Sequence, residues 1–296
     1  DELVPYGYLG ATICTFHAFG DRMLREHAVE LGLTAQLRVE SDAEFLVFLR
    51  EHLFELELER YLPLGKPDEH LRALVSLFDR ARDEDISPEA YQAFAAALAA
   101  AAVTDAEQDR ASAEIEKARA YAVHQRLILE HGRIDFGAQI GLALRLLRER
   151  PYLRREYAER YRYILVDEFQ DTNHVQFELV RHLAGERRNL TVVGDDDQSI
   201  YRFRGAKVEN LLRFLDTFPG AREVLLRHNY RSGQEILDRA HTLIQFNNPE
   251  RLEAMRGYDK RLIAARDVAA TVSLEPYRTM SDEADGIAAE IAQAVE

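Results

Sequence analysis

Tryptophan is absent from this 296-residue sequence, and cysteine occurs once, as Cys14. A single cysteine excludes an internal disulfide and a cysteine-based zinc cluster, and it suits a reducing compartment. Positive charge is scarce: 38 Lys+Arg stand against 52 Asp+Glu, a formal net charge of −14. That balance excludes a protein that coats nucleic acid with its whole surface, but leaves room for one local nucleic-acid groove. Long apolar runs are missing as well, since no stretch reaches the roughly 18 residues of a membrane span. The nearest to low complexity, Ala93 to Val103, falls short of that length and reads as a helix with small packing residues. Asp1 to Pro5 is neither basic nor apolar, so no signal peptide is expected and a cytoplasmic location is. Repeats at solenoid periods are absent.

What remains is 47% hydrophobic and 30% charged, rich in Ala, Leu, Arg and Glu. This is a helix-rich globular composition, long enough for two domains or for one with a large insertion. Four short apolar runs end in polar residues: Thr12 to Phe16, Tyr163 to Val166, Leu190 to Val193 and Val224 to Leu226. Runs so short, without alternation, suit strands buried on both faces of a parallel sheet. Helical patterns follow at Asn173 to Leu183, Lys207 to Phe214 and Gly233 to Phe246, which gives the strand–helix alternation of an open α/β sheet. Between the first two runs nearly everything reads as helix, so a helical insertion is expected from Leu37 to about Ala122. It is acidic, with 14 Asp+Glu and 6 Lys+Arg between Glu40 and Glu89, and reads as solvated face. Thr271 to Pro276 reads as a strand and Asp282 to Val295 as a helix, together the opening of a second domain.

The strongest chemical signal is Tyr163 to Asn173, YILVDEFQDTN. A buried strand delivers Asp167 and Glu168 to its C-terminal edge, where ligands bind in open α/β sheets. There an Asp can hold Mg²⁺ and a neighbouring Glu can take a proton from an attacking water. The bland alternative is an acidic strand end that caps the next helix through Asp171 or Asn173. The second signal is Val192 to Ala206, VVGDDDQSIYRFRGA, where Gly194 makes a tight turn and Gln198 can orient a water or a phosphate oxygen. Tyr201, Arg202, Phe203 and Arg204 interleave aromatics with cations, the composition of a platform on which unpaired bases stack. A third, LRHNYRS, puts Arg231 where its rigid fork can reach a phosphate; a lone arginine is by default a surface ion pair. Thr15, Phe16 and His17 form a fourth and weaker signal.

Together these strings resemble the UvrD/Rep/PcrA-type superfamily 1 DNA helicases, motors that move 3′ to 5′ on single-stranded DNA. DEFQDTN and GDDDQSIYRFRGA carry the resemblance, and NYRS and TFHAF support it in the right order. It implies an α/β fold with a RecA-like parallel sheet, interrupted by a helical subdomain. The implied parts are 1–36 and 123–268 in the first RecA-like domain, 37–122 in the insertion, and 269–296 opening a second RecA-like domain. It further implies that Asp167 holds the Mg²⁺ of MgATP and that Glu168 activates the water attacking the γ-phosphate. Gln198 would sense that phosphate, Arg231 would contact it, and Tyr230 would lie near the adenine. Tyr201 and Phe203 would stack on bases, Arg204 would link nucleotide and DNA, and Thr15, Phe16 and His17 would follow the DNA backbone. The implied partners are single-stranded DNA and single/double-strand junctions, with repair or recombination proteins besides. Ile134-Asp135-Phe136 matches a further family element.

Two departures stand out. Phe203 occupies a place where the family often has Trp, which reduces the stacking face. Of the fifteen glycines only Gly65 precedes a Lys, and Pro67 follows it, so no GxxxxGK[ST] phosphate loop is present. The expectation is an internal segment of a larger motor that alone neither hydrolyses ATP at a useful rate nor unwinds DNA. The competing reading is a catalytically silent DNA-binding or interaction module on the same scaffold. A nuclease site at Asp195, Asp196 and Asp197 is discounted, because successive residues of a turn rarely converge on one ion.

Overall fold

The computed structural model describes residues 10–33, 37–62, 67–199, 208–266, 269 and 271–295. Among them the chain is mixed α/β, mostly helical, with small parallel sheets. In order the elements are α1 (Phe16–His27), β1 (Arg38–Val39), α2 (Asp42–Glu51), α3 (Pro67–Asp83), α4 (Pro88–Ala101), α5 (Asp105–His131), β2 (Arg133–Ile134), α6 (Phe136–Glu149), α7 (Pro151–Arg160), β3 (Ile164–Val166), α8 (His174–Ala184), β4 (Leu190–Val192), α9 (Val208–Thr217), β5 (His228–Asn229), α10 (Gln234–Ile244), α11 (Leu252–Arg256), β6 (Ile263–Ala264) and α12 (Met280–Val295). Contacts divide the chain into two compact units, Asp1–Gly220 and Ala221–Glu296. No helix among the described residues is long and apolar enough to cross a membrane.

Local signals explain where the helices begin. Ser41 and Thr104 open α2 and α5 with capping boxes closed by Glu44 and Glu107, and Ser87 caps α4 with Pro88 in its first turn. Gly132, at φ +61°, ends α5 in the left-handed conformation that glycine adopts without a Cβ penalty. The chain then turns directly into β2.

Two hydrophobic cores stand out among the described residues of the first unit. Phe45, Phe48, Leu71, Leu74, Phe78, Tyr91, Tyr121 and Leu127 anchor one, built from α2 to α5. Met23, Ile140, Leu144, Leu147, Leu153, Tyr157, Val175 and Leu179 anchor the other, built from α1, α6, α7 and α8. Neighbouring residues of α1 and α6 serve both, since Leu24 and Leu142 join the first core while Met23 and Ala143 join the second. These two helices are therefore a shared wall, and what moves one core bears on the other.

The sheets are smaller than the apolar runs suggest. β3 and β4 pair in parallel, Ile164 with Leu190 through Val166 with Val192. β1 pairs with β2, and β5 with β6. Thr12 to Thr15 is not a strand: Thr15 caps α1, and Phe16 is already helical. Val224 to Leu226 is not one either, since the ladder begins later, at His228, opposite Ile263. Thr271 to Pro276 carries no ladder. A strand exists by its hydrogen-bonded neighbour, and an apolar run supplies only half of that. Burial on both faces is likewise corrected, because Leu165 of β3 is 70% exposed among the described residues.

Candidate functional site

The parallel pairing of β3 and β4 brings two distant motifs to one edge. Val193 donates to Val166 O at 2.8 Å, and Phe169 donates back to Val193 O at 2.9 Å, so pairing runs one residue past β4 and is taken up three residues past β3. The chain then turns sharply. Glu168 has φ +49°, the left-handed region that a non-glycine residue enters at a cost of about 1–2 kcal/mol. That turn ends β3 abruptly and leaves Asp167 and Glu168 exposed at its tip. Asp167 Oδ1 accepts from the Glu168 backbone N–H at 3.0 Å.

Gln170 holds the edge together, and sequence reasoning overlooked it. It is buried, 1% exposed. Its Nε2 donates to Glu168 Oε2 at 2.6 Å, and its Oε1 accepts from the Asp195 N–H at 3.0 Å. Gln198, in turn, donates from Nε2 to Asp195 Oδ2 at 2.8 Å. A continuous polar chain thus runs from Glu168 through Gln170 and Asp195 to Gln198. Gly194 makes this approach possible, because a Cβ there would lie 2.9 Å from Gln170 Oε1 and 3.3 Å from its backbone N. The available signal was an amide inside an acidic string, facing a glycine turn in the second motif.

The loop after Gln170 is braced on itself. Asp171 donates its N–H to Glu168 O, and Thr172 Oγ1 donates to Phe169 O at 2.6 Å. Asn173 caps α8 with Oδ1, as the cap reading expected, and Gln176 completes a capping box. Burial, with Glu168 nearby, raises the Asp171 carboxyl above its ordinary range. A cavity of about 380 Å³ lies behind this loop, lined in part by His17, Arg82, Asp83, Asp171 and Asn173. Burial lowers the His17 imidazole, favouring its neutral form, and its ring meets Phe136 edge-on at 6.1 Å. Thr15 Oγ1 accepts from Ala18 N at 3.2 Å, so that side chain caps α1.

Other candidate residues fall elsewhere. Tyr201, Phe203 and Arg204 lie outside the described residues. Tyr230 and Arg231 belong to the second compact unit, exposed just after β5. Asn229 shapes that turn, its Oδ1 accepting from the N–H groups of Arg231 and Ser232 at 2.9 and 2.8 Å. Asp195, Asp196 and Asp197 offer carboxylate oxygens within 4.8 Å of one another, a convergence the sequence reading discounted; Asp195 caps the 3₁₀ turn that gathers them.

The donor set at the strand end is chemically specific. An exposed carboxylate beside a second one offers hard oxygen ligands suited to Mg²⁺. A carboxylate oriented by an amide, as Glu168 is by Gln170, suits proton acceptance from water. Phosphates find no glycine-rich lysine loop in this sequence.

A model of the UvrD/REP helicase N-terminal domain matches residues 7–219. The chain is 33% identical over 240 residues to DNA helicase II of Escherichia coli (strain K12), covering 81% of this chain and 30% of that protein. Its identity to ATP-dependent DNA helicase Rep of the same strain is 33% over 282 residues, covering 95% and 38%. With ATP-dependent DNA helicase PcrA of Leuconostoc citreum it is 31% over 283 residues, covering 95% and 34%. The chain spans about a third of the length of these curated relatives.

Proposed function

The chain belongs to the UvrD/REP helicase N-terminal domain family, and from that premise we propose that it serves an ATP-dependent DNA helicase moving 3′ to 5′ on single-stranded DNA. The fold is then RecA-like in 1–36 and 123–268, with 37–122 as an inserted helical subdomain and 269–296 opening a second RecA-like domain. Asp167 ligates Mg²⁺, and Glu168 accepts the proton of the attacking water. Gln198 senses the terminal phosphate, Arg231 contacts it, and Tyr230 borders the adenine. Thr15, Phe16 and His17 follow the DNA backbone, Tyr201 and Phe203 stack on bases, and Arg204 links the two ligands. MgATP supplies the phosphoryl group whose transfer to water drives the motor.

One observation supports this reading above the rest: Gln170 ties the Glu168 carboxylate to the Asp195–Gln198 turn. A group that activates water and a group that reports on phosphate need such a rigid link if hydrolysis is to be coupled to movement. Glu168→Gln in the full-length protein tests it. DNA-stimulated ATPase should fall about 10²–10⁴-fold, with single-strand affinity within about twofold of the parent. Unchanged turnover overturns the assignment. The 296 residues alone are proposed to be inactive, and robust ATPase from them refutes that.

A further inference from the structure

Consecutive residues at the end of α3 grip the N-caps of two different helices. Arg82 donates from Nη2 to Asp135 Oδ2 at 2.8 Å, and Asp135 caps α6, its Oδ1 accepting from Ala138 N at 2.7 Å. Asp83 accepts from Asn173 Nδ2 at 2.7 Å, and Asn173 caps α8, its Oδ1 accepting from Gln176 N at 2.9 Å. The two links join residues 53 and 90 positions apart. Arg82 cannot swing away, since it is buried and also pairs with Asp79. Asn173 has no freedom either. Its Oδ1 is committed to the cap, so Nδ2 must face Asp83.

What Asn173 feels, Glu168 also feels. The residues between them form one braced turn, held by Thr172 Oγ1 on Phe169 O and by Asp171 N on Glu168 O. Packed, cross-braced segments transmit a displacement without absorbing it. Burial, reinforced by Asp79, pushes the Asp83 carboxyl up to about 6. Such a group is costly to ionise unless a donor meets it, and the Asn173 amide is that donor.

We propose that Asp83, braced by Arg82, is a positioning residue through which the α2–α5 helices set the orientation of the Glu168 carboxylate. The proposal rests on the hydrolytic role of Glu168 given above. Movement of those helices then changes turnover without touching the nucleotide or the DNA.

The test is a swap in the full-length protein. Asn173→Asp keeps a competent cap, because Asp and Asn cap equally well, but sets two carboxylates face to face. Its kcat for DNA-stimulated ATP hydrolysis should fall about five- to tenfold, with KM for ATP and single-strand affinity within about twofold. Asp83→Ala should do likewise. The double variant D83N/N173D reverses the donor and should recover most of the turnover. The rescue ties the loss to this pair; a pair that only held the fold would in addition lower the urea unfolding midpoint in step with turnover. Parent-like turnover in N173D, or a double variant no better than N173D, overturns the proposal. Amide hydrogen exchange over residues 168–172 reads the joint independently of turnover. It should quicken in N173D and return in the double variant; unchanged exchange also overturns the joint. Failure of the hydrolytic reading shows separately, as unaltered turnover in Glu168→Gln.

Discussion

The helical region from β1 to β2 and the edge formed by β3 and β4 use the same acidic residues in opposite ways. In the helical region carboxylates are consumed by the structure. Glu116 accepts from the backbone N–H groups of Glu59, Arg60 and Tyr61, and Lys117 pairs with Glu114 at 2.6 Å. Even a histidine is turned to packing there: His124 is fully buried, with the Phe45 and Phe78 rings at 5.4 and 4.9 Å. Burial, helped by the nearby Arg82 charge, pushes its imidazole down to about 3 and keeps it neutral. At the β3–β4 edge, Asp167 and Glu168 stay exposed and, among the described residues, take only a backbone N–H and the Gln170 amide. A carboxylate that takes several backbone N–H donors ties segments of a fold together; one oriented by a single amide keeps lone pairs free for a cation or a water. The difference is one of partners and not of composition.

That contrast is open to test. The largest effect falls at the edge, where Glu168→Gln should abolish most ATP turnover, measured by phosphate release, and leave the urea unfolding midpoint nearly unmoved. The mirror experiment is Phe78→Ala in the helical core, where the ring is 1% exposed and stacks on Tyr121 at 5.2 Å. It should cost about 3–5 kcal/mol of stability by urea unfolding. If Phe78→Ala instead left stability unchanged, the division between a structural and a chemical region would fail. Gln170→Ala belongs to both regions, since it removes a buried link and frees Glu168. Turnover should drop about tenfold with only a modest loss of stability, a ratio that places the residue nearer the edge than the core.

The last effect is a pH dependence. Unfolded, His124 titrates near its ordinary 6.5; folded, near 3, so between those values the unfolded state binds the extra proton. Stability is therefore fully present above about 6.5 and is lost as pH falls towards 3. Asp83 works in the other sense: between 3.8 and about 6 the folded state holds the extra proton, so stability declines as pH rises through that window. His124→Phe removes only the first contribution. Urea midpoints of that variant should fall less than the parent's between about pH 6.5 and 4; an equal fall shows that His124 is not held neutral.

Much of the edge was legible in the residues. YILV and LTVV announced β3 and β4 because short runs of branched and aliphatic residues stop at polar turns. Asn173 announced a helix start, and a cap it is. TICTF and VLL looked alike in composition, yet neither runs a ladder among the described residues. Composition reports how well a segment would suit a sheet, and only a neighbour at the right height makes it one. Gln170 was missed for a related reason: the partner that gives this amide its role, the Asp195 N–H at 3.0 Å, arrives only when the second strand pairs with the first.

The order of residues alone settled the chemistry on offer: acids after an apolar run, a glycine turn followed by an amide, an arginine after a third run, and a family resemblance that those strings carry. These are local properties, written within a dozen neighbouring positions. Only the tertiary structure decided which acids are spent on folding and which are left exposed. That choice turns on partners such as Arg82 and Asp135, or Asp83 and Asn173, separated by 53 and 90 positions. Pairing over such distances follows from how helices pack and carries no mark in the local sequence.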